Sequence, residues 1–230
     1  MIIHIHECLS TQEEVKKFLT RKSVCIYTTK QLKGRGRKQN IWYTPEGSVA
    51  ISIAFYQKRK HHLREISKFS CVCGYALVKF LKEKYKIQTF LKWPNDVYLN
   101  DKKLAGILCE NYKNHLICGI GINLNTESFP ASIKSLATSI KKEYKVKIKI
   151  KEFVNGLFTF LQKIFALFEE GFDFYDEILE VFYLKNKRVI VKSDKVYEGV
   201  VKGMDKNFNL LLKTKNFTYK IATGEVEVLK

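Results

Sequence analysis

Three observations predict an α+β protein that ends in a small all-β unit. Over the first 185 residues, strand-like runs rich in β-branched and aromatic residues are interleaved with long apolar stripes at helical spacing. From residue 187 onward the pattern changes to five short strands separated by turns, which reads as a small barrel. The 230 residues, 46% of them hydrophobic in type, suffice for one sizeable core plus a small second unit. The predicted units are 1–185 and 186–230.

Ser10 and Thr11, each followed three residues later by Glu13 or Glu14, form overlapping capping boxes, and Val15, Phe18 and Leu19 supply a helical stripe behind them. Residues 24–27 read as a strand, 28–40 as a polar basic segment, and 48–56 as a second strand. Ile66, Phe69, Cys73, Ala76 and Phe80 recur at helical spacing, predicting a long helix with one buried face over 64–85. Strands follow at 88–93, 97–99 and 103–110, the last two joined by a tight turn at Asn100-Asp101, and another at 115–123 leads into a polar loop holding Pro130. Helices are predicted at 151–168 and 172–184. The short strands are predicted at 189–191, 196–201, 208–212, 217–221 and 226–229.

The net charge of +18 makes a nucleic-acid binder a serious first reading. The 41 Lys and Arg nevertheless run along the whole chain, without the stacking aromatics or reading helix that such a module gathers. The charge suits an anionic small molecule equally well. Six cysteines show no C-x-x-C pair and no zinc-ligand spacing, and Cys71 and Cys73 fall on different faces of a helix. They read as reduced thiols acting as small apolar residues in a cytoplasmic protein. No apolar run long enough to span a membrane and no signal peptide is present, so a soluble protein is expected.

Four segments carry chemistry. Lys33-Gly34-Arg35-Gly36-Arg37-Lys38 sets arginine forks among glycines whose backbone N–H groups can approach an anion. Lys92-Trp93-Pro94-Asn95-Asp96 packs a cation, an amide and a carboxylate into one turn. Lys103-Leu104-Ala105-Gly106-Ile107-Leu108 and Gly119-Ile120-Gly121-Ile122-Asn123 hold glycines in mid-strand, where a ligand or another backbone approaches closely. Each alone also fits a solvated loop, a surface turn or a packed strand.

Taken together and in this order, with Trp42 after the first, the four segments resemble the biotin protein ligase family, in the form without an N-terminal DNA-binding domain. The resemblance runs from about Ser10 to the C-terminus and implies a mixed β-sheet flanked by helices, followed by a small SH3-like barrel. It implies an enzyme that activates biotin with ATP and Mg²⁺ to biotinyl-adenylate. Biotin then passes to a lysine of a biotin carboxyl carrier domain. Ser10, Thr11 and Gln31 match residues that contact biotin; Arg35, Gly36 and Arg37 match the loop that closes over it, and Gly106 lies against it. Lys92 matches the lysine beside the α-phosphate, and with Arg37 is the expected catalytic pair. Trp42, Asn95 and Asn123 are expected at the nucleotide, and Asp96 is the candidate contact for Mg-ATP.

The chain departs from the family pattern in places. Gln39 and Asn40 stand where glycine and arginine usually precede the tryptophan, and Leu9 and Gln12 flank the Ser-Thr pair in place of Asp and Asn. A lipoate or octanoate ligase or transferase of the same fold is the nearest alternative, but its Arg-Arg-x-Ser-Gly-Gly-Gly stretch is missing. A biotin-responsive regulator would need a helix-turn-helix, and no residues ahead of Ser10 are available for one. Exposed strand edges could support a homodimer; no membrane partner is expected.

Overall fold

A computed structural model describes residues 1–58 and 63–229. In chain order the elements are β1 (Ile2–His4), α1 (Thr11–Val15), β2 (Val24–Thr28), β3 (Gly34–Arg35), β4 (Ile41–Trp42), β5 (Ser48–Tyr56) and α2 (Leu63–Tyr85). Then come β6 (Phe90–Lys92), β7 (Asp96–Leu99), β8 (Lys102–Tyr112), β9 (His115–Asn123), α3 (Ile140–Tyr144), α4 (Ile150–Glu169) and α5 (Tyr175–Glu180). The chain closes with β10 (Arg188–Lys192), β11 (Val196–Met204), β12 (Leu210–Lys213), β13 (Thr218–Ile221) and β14 (Glu225–Val228).

Seven strands form one sheet in the order β1-β2-β5-β9-β8-β7-β6. Its β1–β2 pair is parallel and the other pairs are antiparallel, so the sheet is mixed. Alternation along the central strands decides what each face does. Val49, Ile51, Ile53 and Phe55 of β5 join the main core with Leu116, Cys118, Ile120 and Ile122 of β9. Helices α2 and α4 cover this bulky face, and Phe55 stacks on Phe165 at 4.5 Å while Phe69 meets Phe165 edge-on at 5.7 Å. Burying each of these rings contributes roughly 1.5–3 kcal/mol. The opposite face carries Ala50 and Ser52 of β5, Gly119 and Gly121 of β9 and Gly106 of the neighbouring β8, too small to fill the space above them.

The Asn100-Asp101 turn is a hairpin with φ of 48° and 60°, the doubly left-handed geometry of a type I′ turn, joining the register pair Leu99 and Lys102. The predicted helix over 172–184 shrinks to α5. Beyond it the backbone runs beside β6, with Leu91 N–H donating to the Val181 carbonyl at 2.8 Å and Tyr183 N–H to the Leu91 carbonyl at 2.9 Å. The outer edge of β6 needs hydrogen-bond partners, and that need overrides helix propensity in the segment. The capping boxes are not used: Ser10 caps α1 without a side-chain hydrogen bond, and its carbonyl takes the Glu13 and Glu14 amides instead. Helix α3 and strands β1, β3 and β4 are too short to show a period.

The C-terminal strands form a separate five-stranded antiparallel sheet, ordered β13-β12-β11-β10-β14. Among the described residues β13 and β14 do not pair, so the barrel is not closed, but the five-stranded antiparallel unit is consistent with the small SH3-like barrel expected from the sequence. Its apolar interior (Val189, Val191, Val201, Leu210, Leu212) is continuous with the main core. Trp93, 2% exposed, ties the two sheets by donating its indole N–H to the Phe208 carbonyl at 2.8 Å.

No helix among the described residues is long and apolar enough to cross a membrane. Trp93→Phe keeps an aromatic ring but strands a buried carbonyl, and is expected to cost about 1–3 kcal/mol. Urea unfolding of the two proteins measures this; coincident midpoints would show that the tether carries no stability.

Candidate active site

The small-residue face floors a cavity of about 220 Å³. Cross-strand register sets two rows on this floor. Ala50, Gly121, Gly106 and Asp96 pair in succession from β5 to β7, and Ser52, Gly119 and Leu108 pair alongside them. The glycines are required by what lies above. A Cβ on Gly121 would fall inside the Trp42 indole, and one on Gly119 would strike the Gln12 amide oxygen.

One end of the cavity is neutral. Residues 8–9 and 30–33 run side by side, with Leu32 N–H on the Cys8 carbonyl at 2.9 Å and Lys33 N–H on the Leu9 carbonyl at 2.8 Å. This pairing brings Gln31 to the start of α1, where its Oε1 accepts from the Thr11 amide at 2.8 Å and the Thr11 hydroxyl at 3.1 Å. Ser10 is buried at the same wall, and among the described residues its hydroxyl has no hydrogen-bond partner.

The other end is cationic. Lys92 Nζ donates to the Tyr98 hydroxyl at 2.9 Å and lies 4.6 Å from that ring's centre. Lys103 Nζ lies 2.8 Å from Asp96 Oδ1 and 5.7 Å from the centre of the Trp42 ring. Burial pulls the Lys92 ammonium below the ordinary lysine range; Asp96 opposes this and Lys103 adds to it. Burial likewise lowers Arg37, against Asp96.

The basic segment is a small hairpin, β3 paired with β4, standing over the floor. Its left-handed residue is Lys38, with φ of 50°, whereas neither glycine adopts a positive φ. Gly34 is needed for space: a side chain there would meet the Trp42 carbonyl and the Gln31 amide nitrogen. The hairpin is held down by contacts within the chain. Arg35 pairs with Glu13, Arg37 donates to Thr223 Oγ1 and to Asn95 Oδ1, and Asn40 Nδ2 donates to Glu225 Oε1 at 3.5 Å. The side chain of Gln39 lies outside the described part.

Ser10, Thr11, Gln31, Arg35, Gly36, Arg37, Trp42, Lys92, Asn95, Asp96 and Gly106 therefore share one cavity. Two of the predicted amides are engaged within the chain. Asn95 donates Nδ2 to the Ile107 carbonyl at 2.6 Å and presents Oδ1 to Arg37, so it orients that guanidinium. Asn123 is not among the lining residues; it is buried past Gly121, donating to the Thr138 carbonyl at 3.1 Å. Sequence reasoning missed Ser52, Tyr98 and the C-terminal residues Thr223 to Val226. The alternation of small residues in β5 could have exposed Ser52, but nothing local marks the others.

The pocket offers one place for a phosphate-borne divalent cation. Asp96 Oδ1 is buried and makes no hydrogen bond of good geometry, its ion partner Lys103 apart. That chemistry fits Mg²⁺, which binds through one or two carboxylates together with phosphate oxygens. Outside the pocket, Cys71 Sγ donates to the Pro94 carbonyl at 3.1 Å, while Cys73 turns to Cys109 and Cys118, the three sulfurs lying within 4.8 Å of one another. This thiol cluster between α2 and the sheet was invisible in the spacings, because topology alone gathers it.

Comparisons with known proteins bear on the family and the fold. Residues 7–126 match the model of the biotin/lipoate A/B protein ligase family. The chain is 27% identical over 238 residues to the bifunctional ligase/repressor BirA of Bacillus subtilis, covering 97% of this chain and 73% of that protein. It is 28% identical to the chloroplastic biotin–protein ligase 1 of Arabidopsis thaliana, covering 79% of this chain but 51% of that one. The structure of a biotin protein ligase from Aquifex aeolicus, in complex with biotin and ATP, superposes with a TM-score of 0.89 at 28% identity. It spans 100% of this chain and 98% of that one.

A methyl group at Gly121 should dislodge the indole from the floor. Gly121→Ala is expected to shift tryptophan emission to the red as Trp42 meets water, with far-UV circular dichroism unchanged. An unaltered emission spectrum would contradict the stacking of Trp42 on this glycine.

Proposed function

The chain belongs to the biotin/lipoate A/B protein ligase family, and we propose that it activates biotin with ATP and transfers it to a lysine of a biotin carboxyl carrier domain. The observation that carries the reading is the polarity of the cavity: neutral hydrogen-bonding groups at one end, fixed cations at the other, and a small-residue floor between them. Biotin has the matching form, a neutral cyclic urea joined by an apolar chain to a carboxylate.

In the first step a carboxylate oxygen of biotin bonds to the α-phosphorus of ATP and the bond to pyrophosphate breaks, giving biotinyl-adenylate. Two anions must meet. At 4 Å and an effective dielectric of about 20, unit like charges repel by about 4 kcal/mol. Lys92 and Arg37 offset that repulsion where charge builds up. Both are held beforehand, Lys92 by Tyr98 and Arg37 by Asn95 and Thr223, so little reorganisation accompanies the reaction. Arg35 and Gly36 complete the wall over the biotin chain, and Gly106 leaves room beneath it. Trp42, with an indole N–H that is buried and unpaired, packs by the base. Asn95 serves the nucleotide end through Arg37, while Asn123 holds the Thr138 loop behind the floor. Asp96 would hold a magnesium ion carried by the ATP phosphates, which would supply further positive charge there.

In the second step the acceptor's lysine amine attacks the carbonyl of the mixed anhydride and AMP leaves with the bonding pair. The hairpin above the floor keeps water from that intermediate. Residues 1–185 form the catalytic unit in this reading, and 186–230 a second unit that supplies Thr223 and Glu225 to the hairpin. The six free cysteines accord with a reducing cytoplasm.

Incubation with labelled biotin, Mg-ATP and a biotin carrier domain should label the carrier; label that stays free, with no biotin-dependent pyrophosphate, would refute the proposal. Lys92→Met should lower pyrophosphate release about 10²–10³-fold without loss of stability, since it removes a buried cation. The lowered Lys92 also sets a pH dependence. The ammonium is lost as pH rises through its depressed value, so the rate should fall on an alkaline limb lying below the usual lysine range. Lys92→Arg, permanently charged, should lose that limb; a limb common to both proteins would assign it elsewhere.

A further inference from the structure

The neutral end of the cavity holds a hydrogen-bond cluster whose hydrogens can be counted. Thr11 Oγ1 lies 3.1 Å from Gln31 Oε1, and Ser52 Oγ lies in donor position to both Thr11 Oγ1 at 2.9 Å and Gln12 Oε1 at 3.0 Å. The orientations of both amides are compelled. Gln31 Oε1 also accepts the backbone N–H of Thr11, while Gln12 Nε2 donates to the Leu108 carbonyl and to Glu110 Oε2, each at 3.2 Å. Both amide oxygens can only accept. Three oxygen–oxygen contacts therefore share two hydroxyl hydrogens, one from Thr11 and one from Ser52. Two hydrogens cannot serve three contacts, so one contact goes without, and the lone pair this leaves open can accept an N–H from a ligand.

We propose that Gln12 is a positioning residue that draws the Ser52 hydroxyl hydrogen to its own amide oxygen, leaving the Thr11 oxygen open to accept a ring N–H of the cyclic urea. The proposal rests on the biotin reading above and deepens it. Gln12 is 5% exposed and lines the cavity, and it spans from α1 to β8 across the floor. Gly119 makes this reach feasible, because any side chain there would collide with the Gln12 oxygen. Thr11, with its own hydrogen on Gln31, offers only lone pairs to the cavity. Gln31 Nε2, which has no hydrogen-bond partner among the described residues, offers the complementary donor for the urea carbonyl. An amide oxygen is a better acceptor than a hydroxyl oxygen, which is why Ser52 turns to Gln12 while Gln12 is present. Without it, the same hydrogen turns to Thr11 and caps the acceptor.

Calorimetric titration with biotin and with the two cyclic carbamates, in which a ring oxygen replaces one or the other urea N–H, tests this. The wild-type protein should bind biotin at least about 10-fold more tightly than one of the carbamates, the loss of one well-placed hydrogen bond. In Gln12→Met, which keeps the side-chain volume, that gap should shrink to less than about 3-fold through weaker biotin binding, with ATP affinity unchanged. Adding Ser52→Ala to Gln12→Met should restore the gap, because no hydrogen remains to cap Thr11. Ser52→Ala alone should keep it, and answers the question even where Gln12→Met does not fold. A gap that survives Gln12→Met, fails to return in the double variant or collapses in Ser52→Ala overturns the proposal while biotin binding stands. A wild-type protein that binds no biotin sinks the ligase reading with it.

Discussion

The site depends on a difference in bulk between the two faces of the same strands. On β5 and β9 every second residue joins the core under α2 and α4, and the residues between them over the cavity are Ala50, Ser52, Gly119 and Gly121. The large face supplies the burial that holds the sheet flat against its helices. Over the small face lie the indole of Trp42, the amide of Gln12 and the end of the Lys103 side chain, with the cavity between them. A cavity built this way is rigid on one side, since its floor is backbone. Its polar groups are then placed by the loops and the short helix that border it.

The second sheet completes the walls rather than standing apart. Trp93 anchors it through Phe208, and Thr223 and Glu225 reach the arginine hairpin. Fixed cations are costly to bury, and both Lys92 and Arg37 are pushed toward deprotonation by their surroundings. The fold tolerates this through nearby polar partners and the Asp96 carboxylate. In the proposed chemistry that strain is useful, because an incoming carboxylate and triphosphate relieve it.

Much of this was legible in the sequence. The β-branched and aromatic content of residues 48–56 marked one central strand with its bounds, 115–123 was read as the other, and the order of the four motifs pointed to the family and to most of the cavity's lining. What escaped was set by tertiary structure. The 172–184 segment reads as a helix because its apolar spacing is helical, but the bare edge of β6 draws part of it into extended pairing. Asn123 looks available as the end of a glycine motif, yet the loop carrying Thr138 folds back on its amide. Tyr98 and Thr223 reach the site only through the register of β7 and the docking of the second sheet. Gln12 was visible as a departure from the family pattern, and only the hydrogen-bond geometry around Ser52 gives it a role.

One measurement bears most directly on the claim that the small-residue floor is a biotin site. Titration calorimetry at several temperatures should give one biotin per chain with a negative heat-capacity change, as the vitamin's apolar ring leaves water for the floor. No saturable heat up to about 1 mM biotin, an affinity weaker than about −4 kcal/mol, would contradict the account.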